Sequence, residues 1–293
     1  MGQTRLPSDP SSIEEHIITT YGAMRHGIGY LAIALPVILA VWGIIKYGLP
    51  LQDSISAYYH AFVPTAQPPR LLEIAGNGVM RNWFVGILWA IGVFLVLYRG
   101  YGRRENIALN VAGVLLIVVA MFPMDWTCGA TCPKVSVHGV AAILFFLVIG
   151  YVCIFRSGDT LPLIKDPNTK AFYQWWYRII GLVMWVFPLV VALLEFFHLR
   201  PFGTRTVFFV EVVGIWIFAA YWLLKSREID HTKADFAAVN GELTRTRRNK
   251  AGVIRHWLDT TPAVEKKLSD RHSSPQKATG TDRNTHPPTT PEP

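Results

Sequence analysis

Six long apolar runs, separated by short polar connections, are the feature that most constrains how this chain folds. The runs cover residues 28–45, 83–98, 107–123, 139–155, 179–197 and 206–224. Each is about 16 to 19 residues long and apolar on every side, close to the roughly 20 residues that a helix needs to cross a bilayer. The sequence therefore predicts an all-α fold: a polytopic membrane helix bundle with six transmembrane helices.

The composition of the chain agrees with a membrane protein. Of its 293 residues, 51% are hydrophobic and only 16% are charged, against roughly 25% charged residues in an average soluble domain. The net charge of +8 does not indicate nucleic-acid binding, because Lys and Arg in the cytoplasmic parts of a membrane protein produce the same excess. We therefore expect membrane lipids, and no nucleic acid, as partners.

The basic residues of the connections predict which side of the membrane the termini occupy. If the N-terminus is inside, the inner parts before the tail hold nine Lys and Arg residues and the outer parts six. From Lys225 onward the chain carries 13 basic and 9 acidic residues. Because cytoplasmic segments carry the excess of Lys and Arg, we expect both termini to be cytoplasmic.

This topology divides the chain into three regions. We expect a cytoplasmic N-terminal segment at 1–27, the six-helix transmembrane domain at 28–225, and a basic cytoplasmic tail at 226–293. Residues from 273 onward are mostly Ser, Thr, Pro and Gly with few large apolar side chains, a composition typical of disorder. Whether the tail binds a protein partner is left open.

The first outer loop carries an unusual group of polar side chains. The segment from Asp53 to His60 is suited to a short helix with Asp53 as its N-cap. On an α-helix, Asp53, Ser56 and His60 would share one face. The alternative is that Asp53 only caps the helix, and that Ser56 and His60 are ordinary polar residues of the membrane interface.

More polar residues stand at the outer ends of the other spans. They are Arg81 before the second span, Asp125 after the third, His138 at the start of the fourth, Glu195 and His198 at the end of the fifth, and Glu211 inside the sixth. An acid inside a span is costly unless it is paired, so Glu211 is a candidate for a functional site. Arg81 is the outer cation best placed to pair with Glu195 or Glu211.

Three of these residues suggest a metal. Neutral imidazoles from His60, His138 and His198 would hold a zinc ion and leave a fourth position for water, whose pKa would fall towards 7. Asp125 would then act as a base or orient a ligand, and Ser56 would support an oxyanion or a ligand. The sequence thus predicts a metal-dependent hydrolase that cleaves an amide or ester bond of a lipid at the outer leaflet.

Two other functions compete with this hypothesis. One is a non-catalytic membrane protein whose outer polar residues bind a lipid or a protein partner. The other is a small transporter, which needs polar residues through the membrane midplane. Beyond Glu211 the spans offer only Asn110, so a transport pathway is disfavoured.

Two cysteines lie in the loop that follows the third span. Cys128 and Cys132 are four residues apart, and on the oxidising side of a membrane such a pair most simply forms a local disulfide. A redox-active pair is the alternative, although redox pairs commonly have the C-x2-C spacing.

Two resemblances to known proteins can be stated on these residues. The run Ser54-Ile55-Ser56-Ala57-Tyr58-Tyr59-His60, with Arg81-Asn82-Trp83 and Tyr98-Arg99-Gly100-Tyr101 after it, resembles a group of uncharacterised bacterial six-span membrane proteins. That resemblance implies a multi-pass protein of the bacterial inner (plasma) membrane.

The second resemblance is to the alkaline ceramidase and adiponectin-receptor superfamily of membrane hydrolases, whose shared residues are a Ser-x3-His pair, an Asp and further histidines around zinc. Ser56, His60 and Asp125 match these in type and order. The superfamily has seven spans and a paired H-x3-H in the last one, whereas the histidines here are single.

Overall fold

The computed structural model of the protein describes residues 10–61, 78–124, 136–197 and 201–239. In these ranges the regular structure is helical, with no strand. Six helical segments are long and apolar enough to cross a membrane. The predicted fold is confirmed: the protein is a multi-pass integral membrane protein built from helices.

The helices follow one another with short connections. The first is α1 (Pro10–Val37), which continues through a π-helical turn (Ile38–Trp42) into α2 (Gly43–Tyr47). Next come a 3-10 helix (Ser56–His60), α3 (Val79–Leu97), α4 (Arg103–Met121), and α5 (Val137–Tyr151) with a π-helical turn (Val152–Arg156). The remaining helices are α6 (Pro167–Phe196), α7 (Thr206–Thr232) and the short α8 (Ala234–Val239).

Two helices extend beyond the apolar runs that predicted them. Helix α1 begins at Pro10, so much of the segment predicted as a separate N-terminal region belongs to the same helix as the first span. Helix α7 ends at Thr232, beyond the expected boundary at 225. Apolar composition locates the part of a helix that lies in lipid, whereas hydrogen bonding and packing decide where the helix ends.

The six long helices form a closed ring in chain order. Helix α1 packs against α3, α3 against α4, α4 against α5, α5 against α6, and α6 against α7, while α7 returns to α1. Because each connection reverses the direction of the chain, neighbours in the ring are antiparallel. Short connections favour this arrangement in helix bundles.

Glycines set two of the helix contacts. A Cβ atom added to Gly113 of α4 would lie 2.5 Å from the carbonyl oxygen of Gly92 in α3. Between α5 and α6, a Cβ added to Gly181 would lie 3.0 Å from the carbonyl oxygen of Gly150. Small residues allow membrane helices to approach closely where lipid supplies no hydrophobic driving force.

The helices bury one face and expose another that is equally apolar. On α1, the side chains of Ile28, Ala32 and Leu39 are fully buried and face the centre of the ring. On α6, Leu182 and Leu189 are each 57% exposed. Exposed leucines in the middle of such helices are suited to contact with lipid chains, which are as apolar as the side chains themselves.

The bundle has two ends, which differ in their polar residues. The Ser56 end contains the 3-10 helix, the end of α4 and the starts of α5 and α7. The Lys225 end contains the start of α1, the 98–102 and 157–166 connections, the end of α7 and α8. Which end faces the cytoplasm stays a prediction.

Candidate functional site

A direct hydrogen bond between a serine hydroxyl and a histidine ring lies at the Ser56 end. Ser56 begins the 3-10 helix, and His138 lies in the first turn of α5. The Oγ atom of Ser56 and the Nε2 atom of His138 are 2.9 Å apart. His138 is buried and Ser56 is partly exposed. The structure thus brings together two of the residues singled out from the sequence.

The other ring nitrogen of His138 determines which partner donates. Nδ1 lies 3.0 Å from the carbonyl oxygen of Val119 and 2.9 Å from that of Phe122. Because carbonyl oxygens only accept hydrogen bonds, Nδ1 carries a proton. In a neutral ring Nε2 is then the acceptor, so the Ser56 hydroxyl donates to it. A hydroxyl held by the acceptor nitrogen of an oriented imidazole is the arrangement by which a general base activates a nucleophile.

The position of His138 follows from the way α4 ends. The last carbonyl groups of a helix have no partner within that helix. Val119 lies in the last turn of α4, and Phe122 is its C-terminal cap residue. His138 satisfies both carbonyls, and the Ser136 hydroxyl accepts from the Gly139 amide at 3.0 Å, which fixes the start of α5.

The loop before Ser56 is capped differently from the prediction. The helix begins at Ser56 and not at Asp53, and it is a 3-10 helix. The Ser54 hydroxyl accepts from the Ala57 amide at 3.0 Å, so Ser54 has the capping role expected of Asp53, which is exposed. A 3-10 helix has three residues per turn, and for this reason Ser56 and His60 do not share the face that an α-helix would give them.

Glu211 holds the same loop from α7. Its Oε2 atom accepts a hydrogen bond from the Ile55 amide at 2.5 Å. Ile55 directly precedes Ser56 in the chain, so this bond ties the loop to α7 next to the serine. The partner of this acid inside the sixth span is therefore backbone, and it positions the residue next to the Ser56 hydroxyl.

His60 and Arg81 make further contacts at this loop. The Nε2 atom of His60 lies 3.0 Å from the carbonyl oxygen of Met124. Arg81 Nε donates to the carbonyl oxygen of Tyr59 at 2.9 Å, and its guanidinium lies 4.8 Å from the centre of the Tyr59 ring. These contacts connect Arg81 to the loop, and the pairing predicted for it with Glu195 or Glu211 stays a prediction.

Several predicted site residues lie outside the described residues. They are Asp125, Cys128, Cys132 and His198, together with the side chain of Glu195. The disulfide and the roles assigned to these residues therefore stay predictions.

The zinc prediction meets a difficulty at His138. Within the described ranges, no group of three or more His, Cys, Asp or Glu side chains is arranged to hold a metal ion. Both ring nitrogens of His138 already face hydrogen-bond partners, so as they stand they do not fit a metal ligand. Since the third proposed ligand, His198, lies outside the described residues, zinc stays a prediction.

A second polar cluster, at the Lys225 end, was not found from the sequence. The Nζ atom of Lys225 lies 2.6 Å from Oε2 of Glu228, 2.7 Å from the hydroxyl oxygen of Thr160 and 2.9 Å from the carbonyl oxygen of Ser157. Glu228 also accepts from Thr160 at 2.6 Å and from Tyr177 at 2.9 Å. Lys225 and Glu228 are 2% and 0% exposed, so these contacts replace water almost completely.

The sequence contained one signal for this cluster. Lys225 and Glu228 are three residues apart, a spacing at which side chains meet on a helix. Because Lys225 directly follows an apolar run, it was counted among the cytoplasmic charges that set topology. The burial of Lys225 depends on the 157–166 connection and on α6. The sequence alone does not show that these segments pack against α7.

Helix α8 is attached to the bundle at the same end. Arg25 of α1 donates to Asp235 of α8 through two nitrogens, at 2.9 and 3.3 Å, and the Tyr101 hydroxyl donates to the same carboxylate. Burial raises the pKa of Tyr101 above its ordinary value, and the neighbouring Tyr98 and Asp235 raise it further. The Tyr101 phenol is therefore held protonated, as its donor role requires.

The chain was compared with known proteins. No family model matches it, and neither a curated protein nor a solved structure does so.

Proposed function

We propose that this protein is a membrane-embedded hydrolase that cleaves an acyl ester or amide bond of a lipid, with Ser56 as the nucleophile and His138 as the general base. The observation that supports this proposal is the 2.9 Å hydrogen bond from the Ser56 hydroxyl to His138 Nε2. The opposite nitrogen, held by two carbonyl oxygens, orients the ring in the way that a carboxylate does in a catalytic triad.

The reaction proceeds in two steps. The Ser56 oxygen attacks the carbonyl carbon of the acyl group while its proton passes to His138 Nε2, and the leaving alcohol or amine takes that proton as its bond to the acyl carbon breaks. Water then attacks the acyl-serine and gives a proton to His138, which returns it to the Ser56 oxygen as the fatty acid leaves. Atoms and charge balance in both steps with the groups named.

The position of the pair suits a lipid substrate. Ser56 lies at one end of a ring of membrane-spanning helices, where the polar part of a lipid meets its acyl chains. The carboxylate of Glu211 accepts from the amide of Ile55, which directly precedes Ser56, so the loop that carries the nucleophile is tied to a long helix. A rigid support of this kind keeps a nucleophile close to its reactive geometry.

The test is covalent labelling of the full chain in detergent micelles with a fluorophosphonate, which reacts with activated serines. We expect a single labelled site at Ser56, loss of labelling in Ser56→Ala, and at least a 100-fold lower rate in His138→Gln, because general-base catalysis contributes about 10² to 10⁴. Ser54→Ala is the matched control, since the Ser54 hydroxyl contacts the Ala57 amide and the Met124 sulfur, and it should be labelled at the normal rate. Folded protein that leaves Ser56 unlabelled, or labelling that His138→Gln does not slow, would refute the proposal.

The competing interpretation is that the same contacts only join the loop to α4 and α5, as in a non-catalytic protein that binds a lipid or a partner. It predicts that Ser56→Ala and His138→Gln lower the melting temperature while the wild-type protein shows no labelling at Ser56. Measuring unfolding and labelling on the same samples therefore separates the two functions.

A further inference from the structure

An apolar groove on the outside of the bundle runs along the contact between α4 and α5. Towards the Lys225 end it has a volume of about 390 Å³ and is lined by apolar side chains such as Ile107, Val111 and Leu147. These side chains are 52%, 44% and 38% exposed. Since the helices cross a membrane, the groove is open to lipid.

The same groove ends at a cation. Arg104, on the first turn of α4, is an exposed residue that lines the groove together with Tyr151 of α5. Arg103, its neighbour, is equally exposed but does not line the groove. The groove therefore has an apolar part and a cationic end, which match the acyl chains and the phosphate of a phospholipid.

Among the described residues, the two acids near the start of α4 and the end of α5 have other partners than Arg104. Glu105 is buried, and its carboxylate accepts from the Tyr101 amide at 2.9 Å. Asp159, beyond the end of α5, pairs with Arg156. Arg104 also stands at the N-terminus of α4, where the helix dipole is positive and an anion is stabilised. The charge exposed here is complementary to an anionic headgroup.

A second groove between the same helices provides an internal comparison. It lies towards the Ser56 end, has a volume of about 330 Å³, and is lined by Leu115, Val140 and Leu144 among others. Among the residues that the structure describes, its only polar lining residue is Ser136, so within these residues it has the apolar surface without a cation. The two grooves therefore differ in the feature that would recognise a headgroup.

We propose that the groove between α4 and α5 at the Lys225 end binds an anionic phospholipid, with an acyl chain along Ile107 and Val111 and the phosphate at Arg104. Planar guanidinium groups bind phosphate through two parallel hydrogen bonds. One leaflet of a bilayer has a hydrocarbon depth of about 15 Å, or roughly ten residues of helix at 1.5 Å each, so Ile107 and Val111 lie within one leaflet of Arg104. The site lies at the opposite end of the bundle from Ser56, and it does not depend on the proposed hydrolase.

The headgroup is tested with two matched arginine variants. Purified full-length protein in neutral detergent is titrated with dioleoyl phosphatidylglycerol, and with dioleoyl phosphatidylcholine, which has the same chains. Bound lipid is counted by native mass spectrometry, and the melting temperature is followed. We expect the phosphatidylglycerol to bind more tightly, and Arg104→Gln to weaken it about fivefold. Arg103→Gln, which changes a neighbouring exposed arginine outside the groove lining, should weaken it less than twofold.

The acyl chain is tested with two tryptophan variants of equal exposure. Val111→Trp fills the proposed groove, and Leu144→Trp fills the uncharged one; the two side chains are 44% and 43% exposed. We expect Val111→Trp to abolish the selective binding of phosphatidylglycerol and Leu144→Trp to preserve it. Inorganic phosphate at millimolar concentration should not compete, because it has no acyl chain.

Three results would overturn the proposal. The first is equal binding of the two lipids by the wild-type protein, and the second is an equal loss in Arg103→Gln and Arg104→Gln. The third is selective binding that survives Val111→Trp in a protein that melts at the normal temperature. Labelling of Ser56 by fluorophosphonate should be unchanged in Arg104→Gln, so failure here leaves the hydrolase proposal untouched.

Discussion

Lys225 and Glu228 lie one helical turn apart on α7, and their charged groups are 2.6 Å from each other in the interior of the bundle. Thr160 and Tyr177, from other parts of the chain, donate to the same carboxylate. The pair therefore joins the end of α7 to α6 and to the connection before it. Removing water from two charges is costly, and their pairing and hydrogen bonds offset that cost only while both partners are present.

The first prediction concerns this pair. Lys225→Met and Glu228→Gln should each lower the free energy of unfolding by about 3 to 5 kcal/mol, because each leaves the other group buried without its charged partner. The double variant should lose less than the sum of the two single losses, since it leaves no unpaired charge. Thermal or denaturant unfolding in detergent measures these changes.

Arg227→Gln is the matched control for the pair. Arg227 lies between the two residues on the same helix and is exposed, so its replacement should change stability by less than about 0.5 kcal/mol. If the two single variants proved as stable as Arg227→Gln, the buried pair would not contribute to the fold.

The second prediction separates the serine mechanism from the zinc hypothesis. In the first, His60 takes no part in the chemistry and its Nε2 atom contacts the carbonyl oxygen of Met124, whereas in the second it is a metal ligand together with His138 and His198. We expect fluorophosphonate labelling of Ser56 to continue after treatment with 1,10-phenanthroline, and to fall less than threefold in His60→Ala. Labelling that the chelator abolishes and added Zn²⁺ restores would favour the zinc site over the serine mechanism.

The third prediction concerns alkaline pH. Burial raises the pKa values of Tyr98 and Tyr101 above the ordinary 10.0, so the folded state keeps these phenols protonated. Above pH 10 the unfolded chain releases their protons and the folded chain does not. Their contribution to stability is therefore complete below pH 10 and decreases as the pH rises further.

Tyr101→Phe tests this relation. The variant loses the hydrogen bond to Asp235, at a cost of about 1 kcal/mol at neutral pH, and its stability should decline less steeply between pH 9 and 11. Unfolding curves at several pH values measure both effects. A wild-type decline as shallow as that of Tyr101→Phe would show that the buried phenol of Tyr101 does not control the alkaline limit.

Some parts of the site were predictable from the sequence. Ser56 was singled out because an α-helix would place it on one face with His60, His138 because it stands with other polar residues at the outer ends of the spans, and Glu211 because an acid within a span needs a partner. Their contacts were not predictable. The partners of His138 depend on which atoms face each ring nitrogen: the carbonyl groups at the end of α4 face Nδ1, and the Ser56 hydroxyl faces Nε2.

The residue that caps the 3-10 helix could not be predicted from the sequence either, although the candidates are adjacent in the chain. Asp53 and Ser54 are both good N-cap residues, and one-dimensional spacing does not distinguish between them. The Asp53 carbonyl oxygen accepts from the Phe208 amide of α7 at 2.9 Å, which places the loop in a position where the Ser54 hydroxyl reaches the Ala57 amide. The contact with α7 thus determines that Ser54, and not Asp53, is the capping residue.

The sequence by itself determined that the chain crosses a membrane as six helices, because a bilayer requires long apolar segments whose backbone groups are all hydrogen-bonded internally. That requirement is local and can be seen in each run separately. Only the tertiary structure decided that Ser56 meets His138, that Glu211 binds the Ile55 amide, and that Lys225 is buried against Glu228 and Thr160. These contacts depend on which helices become neighbours in the ring, and residues far apart in the chain carry no local signal of that arrangement.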